Sequence, residues 1–314
     1  MRTHVNPGEQ LDHYRIGEVL THTPVASIFR ATDASTEQPV LIKVPQPELE
    51  TDPVFADRFQ REQEIAKSFN HRGLLKALND GLQSRPYIVM ESFDGQPLRQ
   101  LLLTQKKLPS VRAQKITIGL CDVLEYVENH GVAHRDIRPE NILVGADDRI
   151  KLINFGTAAM MGARRITFAN LAQSVGVSDY ISPEELGGKR GDARSDIFAV
   201  GVVLYEMLTG KTPFQGVDPF DRLEKHPMPP SELESGISPQ LQEVIFRALE
   251  PKPRDRYANA NQMATDLRQL DRVVLKNRPK SQDVKRPANK ALMYSAIALV
   301  PIVIFVLLLY FAHR

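Results

Sequence analysis

The chain has 314 residues, 42% hydrophobic and 25% charged, with a formal net charge of +2. This is globular composition, long enough for one large domain or two small ones, and the near-neutral balance argues against a nucleic-acid binder, which would carry a basic excess. The single cysteine, Cys121, excludes an intrachain disulfide and a cysteine-based metal cluster.

In chain order, residues 1–13 read as an N-terminal extension with no apolar opening, so no secretory signal peptide is expected. Residues 14–91 alternate strand-like runs, "ASIFRAT", "PVLIKVP" and "PYIVME", with one helical segment, "VFADRFQREQEIAKSFN". Residues 92–272 are mostly helical, with short strands around "NILVGADDRIKLINFG". Cys121 sits in the helical stretch "AQKITIGLCDVLEYVENHG" as a small core residue. A small β-rich lobe followed by a larger helical one is an α+β layout, and a cleft between two lobes is a usual ligand site.

The segment 273–290 is a basic linker. It holds Lys276, Arg278, Lys280, Lys285, Arg286 and Lys290 against Asp283 after Leu275. Residues 291–312, "ALMYSAIALVPIVIFVLLLYFA", contain no charge and as a helix rise about 33 Å, enough to cross a hydrocarbon core of about 30 Å. The basic flank places the N-terminal side in the cytoplasm. The expectation is a single-pass, C-terminally anchored protein of the inner membrane, with residues 276–312 meeting lipid and a two-residue tail, 313–314, beyond.

The chemistry concentrates in "HRDIRPENIL", His134 to Leu143. A positioned carboxylate, Asp136, is followed five residues later by an amide, Asn141, a spacing that suits a loop presenting a base to a hydroxyl and an oxygen ligand to magnesium. With the strand pair and "KLINFG" that follow, the chain resembles the protein kinase family, specifically the bacterial Ser/Thr kinases of eukaryotic type. The resemblance spans about residues 14–270 and implies the two-lobed kinase fold. It implies that Lys43 of "VLIK" holds the nucleotide's α- and β-phosphates, with Glu62 as its helix partner. Glu64, two residues on, faces away from Glu62 on a helix. In "YIVMESFDG" it implies Met90 as gatekeeper and Glu91 and Phe93 as backbone contacts to adenine, and it makes Leu143 a further cofactor-binding residue. It further pairs Glu184 with Arg256 and makes Asp196 the brace of the catalytic loop.

The departures from that family bear on function. Thr21, Thr23 and Ala26 stand at the three glycine positions of the phosphate loop, and Pro24 among them has no N–H. Leu41 stands where a small alanine would face adenine, or else turns into the lobe core. Asn154 replaces the aspartate that, with Asn141, would hold Mg²⁺, and an amide oxygen is a neutral, poorer ligand. Val177 replaces a threonine of the substrate-docking loop, and Arg138 replaces a catalytic-loop lysine, keeping the charge but changing its geometry. Thr167, Ser174 and Ser178 offer hydroxyls whose phosphates Arg135 would pair with, or else Arg135 is a structural arginine only.

Two readings follow. One is a pseudokinase that binds a protein partner, with weak or no ATP and Mg²⁺ and with homodimerisation left open. The other is an active or attenuated Ser/Thr kinase using ATP and Mg²⁺, with Asp136, Arg138 and Asn141 as its catalytic residues.

Overall fold

In the computed structural model, residues 4–78, 81–160, 177–215 and 227–277 are described. Met1–Leu275 form one compact unit and Lys276–Arg314 a second. The apolar stretch 291–312 and residues 278–290 of the basic linker lie outside the described residues; among those described, no helix is long and apolar enough to cross a membrane.

The first lobe is an antiparallel sheet in the order β1 (Gln10–Leu11), β2 (Tyr14–His22), β3 (Ala26–Asp33), β4 (Pro39–Pro45) and β5 (Ile88–Glu91), so the N-terminal segment adds an edge strand. The period-2 alternation of β4 sorts two cores. Val40, Ile42 and Val44 join Tyr14, Phe29 and Tyr87 on the outer face, while Leu41 joins Ile28, Ile88 and Met90 on the other. Lys43 pairs with Ile28 and Leu41 with Arg30, so these four side chains share the inner, cleft-facing side.

Helix α1 (Pro53–Ser68) starts sharply. The Asp52 carboxylate accepts from the Val54 and Phe55 amides, and Pro53 fills the first helical position. Its buried stripe is Phe55, Phe59, Glu62 and Ile65, which places one carboxylate on an otherwise apolar face. Glu64 is exposed, as its spacing predicts.

The second lobe carries β6 (Gly95–Pro97), α2 (Leu98–Gln105), α3 (Ser110–Asn129), β7 (Val132–Ala133), β8 (Ile142–Gly145), β9 (Ile150–Leu152), β10 (Ala159–Met160) and α4 (Pro183–Leu186). It continues with α5 (Ala193–Thr209), α6 (Pro230–Leu233), α7 (Pro239–Ala248) and α8 (Ala260–Arg268). Helix α5 is buried along nearly its whole length; it opens with a capping box between Asp192 and Ser195 and closes on Gly210 at φ 74°. Its isoleucine, valines and leucines pack with α3, α7 and α8 into one apolar core that also takes in Cys121. Burial pushes the Cys121 thiol up to about 12, so it is an inert core residue.

Candidate active site

The antiparallel pair β8–β9 determines what meets in the cleft. Its register sets Ile142 opposite Leu152, so Asn141 just before it and Asn154 just after it emerge side by side. The Ile153 amide donates to the Asn141 carbonyl at 3.0 Å. Asn154 has left-handed backbone, φ 71° and ψ 63°, which asparagine tolerates better than most residues.

Across the cleft, Lys43 Nζ donates to both Glu62 carboxylate oxygens at 2.6 Å and to Asn154 Oδ1 at 2.8 Å. Asn154 Nδ2 donates to Asn141 Oδ1 at 2.5 Å, and Asn141 Nδ2 donates to the Asp136 carbonyl and Oδ2, both at 2.7 Å. The donors and acceptors fit in one direction only. An ammonium has no acceptor, so Asn154 turns its oxygen to Lys43; its amide hydrogens then face Asn141, whose own hydrogens face the acceptor-only carboxylate. The result is a continuous polar chain from α1 to the catalytic loop: Glu62, Lys43, Asn154, Asn141, Asp136. Gly156 gives it room, since a Cβ there would stand 3.3 Å from Glu62 Oε2.

The loop carrying Asp136 is held from below. Asp196 of α5 accepts from the His134 and Arg135 amides, both at 2.7 Å, although burial pushes its carboxyl up to about 7. His134 Nε2 lies 3.0 Å from the Ile153 carbonyl and so carries the proton, leaving Nδ1 to accept from the Asp136 amide at 3.2 Å. Burial holds this imidazole down at about 4, so it stays neutral. Its ring meets Phe155 edge-on at 4.7 Å, and Phe155 meets Phe69 edge-on at 6.3 Å. The Asp136 carboxyl is itself pushed up to about 6 by burial, against the lowering pull of Arg138 and of the Asn141 hydrogen bond.

Further out, Arg256 makes a two-pronged contact with Glu184, 2.7 Å on each side, as the sequence pairs them. Arg135 pairs with Glu185 at 3.4 Å. Of the hydroxyls read as phosphate sites, Thr167 and Ser174 lie outside the described residues, as does the side chain of Ser178, and so does that of Val177. Arg138 contacts Glu140 at 2.8 Å. Burial acts upward on Glu140, but Arg138 and Arg99 hold it down at about 2. Arg99 also bonds Glu206 and the Tyr180 hydroxyl at 2.6 Å each, a ring of charges that the motif reading missed because its members are scattered from α2 to α5.

The protein kinase domain profile matches residues 14–267. The chain belongs to the protein kinase family. Among curated proteins it is 35% identical over 263 residues to a probable serine/threonine-protein kinase, SCO3848, of Streptomyces coelicolor, covering 81% of this chain and 39% of that one. It is 34% identical over 270 residues to the serine/threonine-protein kinase PknB of Mycobacterium tuberculosis, covering 83% and 43%. The chain thus spans about two-fifths of the length of these relatives. Among solved structures, the kinase domain of M. tuberculosis PknI superposes with a TM-score of 0.65 at 24% identity, covering 85% of this chain and all of that one. Kinase fold and Ser/Thr kinase kinship are therefore both in hand.

ATP and Mg²⁺ are what this family implies, and the cleft matches them unevenly. Lys43 and Glu62 pair as the sequence expects, and Asp136 and Asn141 are bonded to each other across the cleft from them. At the phosphate loop, between β2 and β3, the backbone donors are already committed. The Thr23 amide donates to the Ala26 carbonyl at 3.1 Å, and the Val25 and Ala26 amides donate to the Thr23 hydroxyl at 3.3 and 3.1 Å. Pro24 has none to give. Gln46 Nε2 binds the Thr23 carbonyl at 2.8 Å and fastens the turn to the end of β4. Thr21 pairs with Ile28 in the β2–β3 ladder.

The base slot is filled as well. Leu41 and Leu143, one from each lobe, are both 0% exposed and belong to one cluster with Ile28, Met90, Phe93 and Ile153. Leu41 therefore lies on the cleft side and not in the outer-face core. Arg30, its cross-strand partner, donates to the Phe93 carbonyl at 3.0 Å and the Gly95 carbonyl at 2.7 Å, and binds Glu18 at 2.8 Å. The motif reading gave Arg30 no role, although the strand register puts it on the same face as Leu41. Glu91 turns its carboxylate to Lys151 at 2.5 Å, while its amide donates to the Lys76 carbonyl at 2.9 Å. Deeper in, a cavity of about 30 Å³ behind Met90 has room for one or two waters. Lastly, the donor that Asn154 aims at Asn141 occupies the direction from which two metal ligands would converge, and an N–H is no ligand for Mg²⁺. Loop, slot and metal position thus each fit the family's nucleotide poorly.

Proposed function

We propose that this chain is a pseudokinase: a kinase-family module that acts without nucleotide and presents its closed lobes to a protein partner at the cytoplasmic face of the inner membrane. The observation that carries this reading is the Asn154 side chain. It bonds Lys43 on one side and Asn141 on the other, joining the lobes through protein groups where a metal–nucleotide complex would otherwise join them. Arg30 does the same at the hinge end of the cleft. Membrane attachment rests on the sequence alone, on the uncharged stretch 291–312 and its basic flank.

A second reading, an attenuated Ser/Thr kinase, is favoured by one specific observation. The Lys43–Glu62 pair is formed, and Asp136 is held by Asn141 with its carboxyl near 6, within reach of proton-transfer duty. Its hydroxyl specificity would be that of the relatives named as serine/threonine kinases.

The two part on nucleotide binding and transfer. Residues 1–275, the compact unit, are heated with and without millimolar ATP and Mg²⁺. A ligand at a hundredfold excess over its dissociation constant stabilises by about 2.7 kcal/mol, and the pseudokinase reading expects no such shift. Radiolabelled phosphate transfer to a generic protein, abolished by Asp136→Asn, would establish the kinase instead. For attachment, the full chain should sediment with membranes and 1–275 should not.

A further inference from the structure

On the outer face of the first-lobe sheet, away from the cleft, lies a cavity of about 200 Å³. Its walls include Val5 and Pro7 of the N-terminal segment, Val19 of β2, Phe29 of β3 and Val44 of β4. Five polar residues also line it: His4, Asn6, His22, Ser27 and Gln46. Ser27 and Gln46 are more than nine-tenths buried. A pocket with an apolar body and a few convergent polar groups is the usual form of a small-molecule site.

The polar groups specify the occupant. Gln46 Nε2 spends its hydrogens on the Thr23 carbonyl and the Ser27 hydroxyl, at 2.8 and 3.2 Å, so what Gln46 offers further is its acceptor oxygen. His22 Nδ1 lies 2.8 Å from Ser27 Oγ; when it accepts that hydroxyl proton, Nε2 carries the ring proton and donates. One group that both donates and accepts, a hydroxyl, matches this pair. Charge is disfavoured. An anion is disfavoured most, because the Glu48 carboxylate stands at the rim, 3.6 Å from His4. In size, an apolar cavity of about 150 Å³ takes benzene, so this one takes a single ring with a small head group.

We propose that this cavity is a binding site for a small uncharged ring compound bearing a hydroxyl, and that its occupancy is transmitted to the β2–β3 turn. The transmission is local. Gln46, Ser27 and His22 line the cavity, and Gln46 is also the side chain that fastens the turn through the Thr23 carbonyl. The proposal does not depend on whether the cleft binds nucleotide, because the two lie on opposite faces of the sheet.

The test uses residues 1–275, a compact unit equivalent to the PknI kinase domain solved on its own, with valine methyls and backbone amides labelled for NMR. The probe is phenol, with toluene and benzoate as controls. Phenol should give saturable shifts at the Val5, Val19 and Val44 methyls and at the Val25 and Ala26 amides, with toluene and benzoate binding at least about tenfold more weakly. Val19→Trp, which fills the cavity from a partly exposed position, should abolish the response. His22→Ala should weaken phenol by about fivefold, the worth of one hydrogen bond, without changing toluene. Absence of saturable shifts in the folded protein, equal response to toluene, or undiminished binding in Val19→Trp would each overturn the proposal.

Discussion

Asn154→Asp probes the centre of the cleft with a change of one atom type. In the chain as it stands, Asn154 Nδ2 donates to Asn141 Oδ1 at 2.5 Å. An aspartate puts a second oxygen at that place, so two acceptors face each other and one buried hydrogen bond is lost. Leaving a buried polar group unsatisfied costs about 1–3 kcal/mol. A domain of this size loses roughly 2–4 °C of Tm per kcal/mol, so 1–275 should melt roughly 2–12 °C lower in EDTA. On the pseudokinase reading, the lost donor is also what keeps a cation out. With two oxygens converging, Mg²⁺ can bridge them, and millimolar Mg²⁺ should restore much of the stability of the variant while leaving the parent unmoved. On the same reading phosphate transfer should stay absent, because the loop amides, Leu41 and Arg30 would still obstruct the nucleotide, and groups that act as a unit are not restored singly. The assay is differential scanning fluorimetry of both proteins in EDTA and in Mg²⁺. A variant as stable as the parent in EDTA, or a parent that itself responds to Mg²⁺, would refute the argument that Asn154 replaces the cation.

Thr23→Ala removes the hydroxyl that receives the Val25 and Ala26 amides; hydrogen exchange at those two amides should accelerate about fivefold, as expected for about 1 kcal/mol. Leu41→Ala should destabilise by about 2–5 kcal/mol as a core truncation and, by emptying the slot against Leu143, should raise the affinity for a fluorescent adenine nucleotide; unchanged affinity would place the obstruction elsewhere. The Asp136 carboxyl rises from an ordinary 3.8 to about 6 on folding. The folded state therefore binds the extra proton, and the contribution is favourable at low pH and is lost as pH rises from about 4 through about 6. Asp136→Asn should accordingly gain stability relative to the parent between pH 5 and pH 7, by at most about 3 kcal/mol. A difference that shrinks over that interval would contradict the assignment. A variant combining Asn154→Asp, Leu41→Ala, Val177→Thr and glycines at Thr21, Thr23 and Ala26 should transfer more labelled phosphate than any single change.

Local pattern carries some of this architecture by itself. The spacing of Phe55, Phe59, Glu62 and Ile65 on α1 puts Glu62 on the buried stripe and Glu64 in solvent, because a helix repeats every 3.6 residues. The alternation in "VLIK" puts Leu41 and Lys43 on one face of β4 for the equivalent reason in a strand. The motif around Asp136 and Asn141, with the strand pair after it, was enough to name the family and the pairs Lys43–Glu62 and Glu184–Arg256. It also flagged Asn154, Leu41 and the glycine positions as departures.

What those departures do was decided only in three dimensions. Composition says that an asparagine is a weak metal ligand; it does not say that this one finds a donor on one side and an acceptor on the other, which depends on the β8–β9 register and on where β4 hangs Lys43. Loss of glycine at Thr23 suggests a stiffer loop, but the hydroxyl that absorbs two backbone amides is a matter of turn geometry. Arg30 sits in an unremarkable strand, and its importance comes from carbonyls sixty-odd residues away. Glu185 likewise reaches Arg135 across fifty residues. Helix and strand periodicities are short-range and survive in a string of letters. Hydrogen-bond partners in a cleft come from separate lobes, and their pairing is fixed by the packing that brings those lobes together.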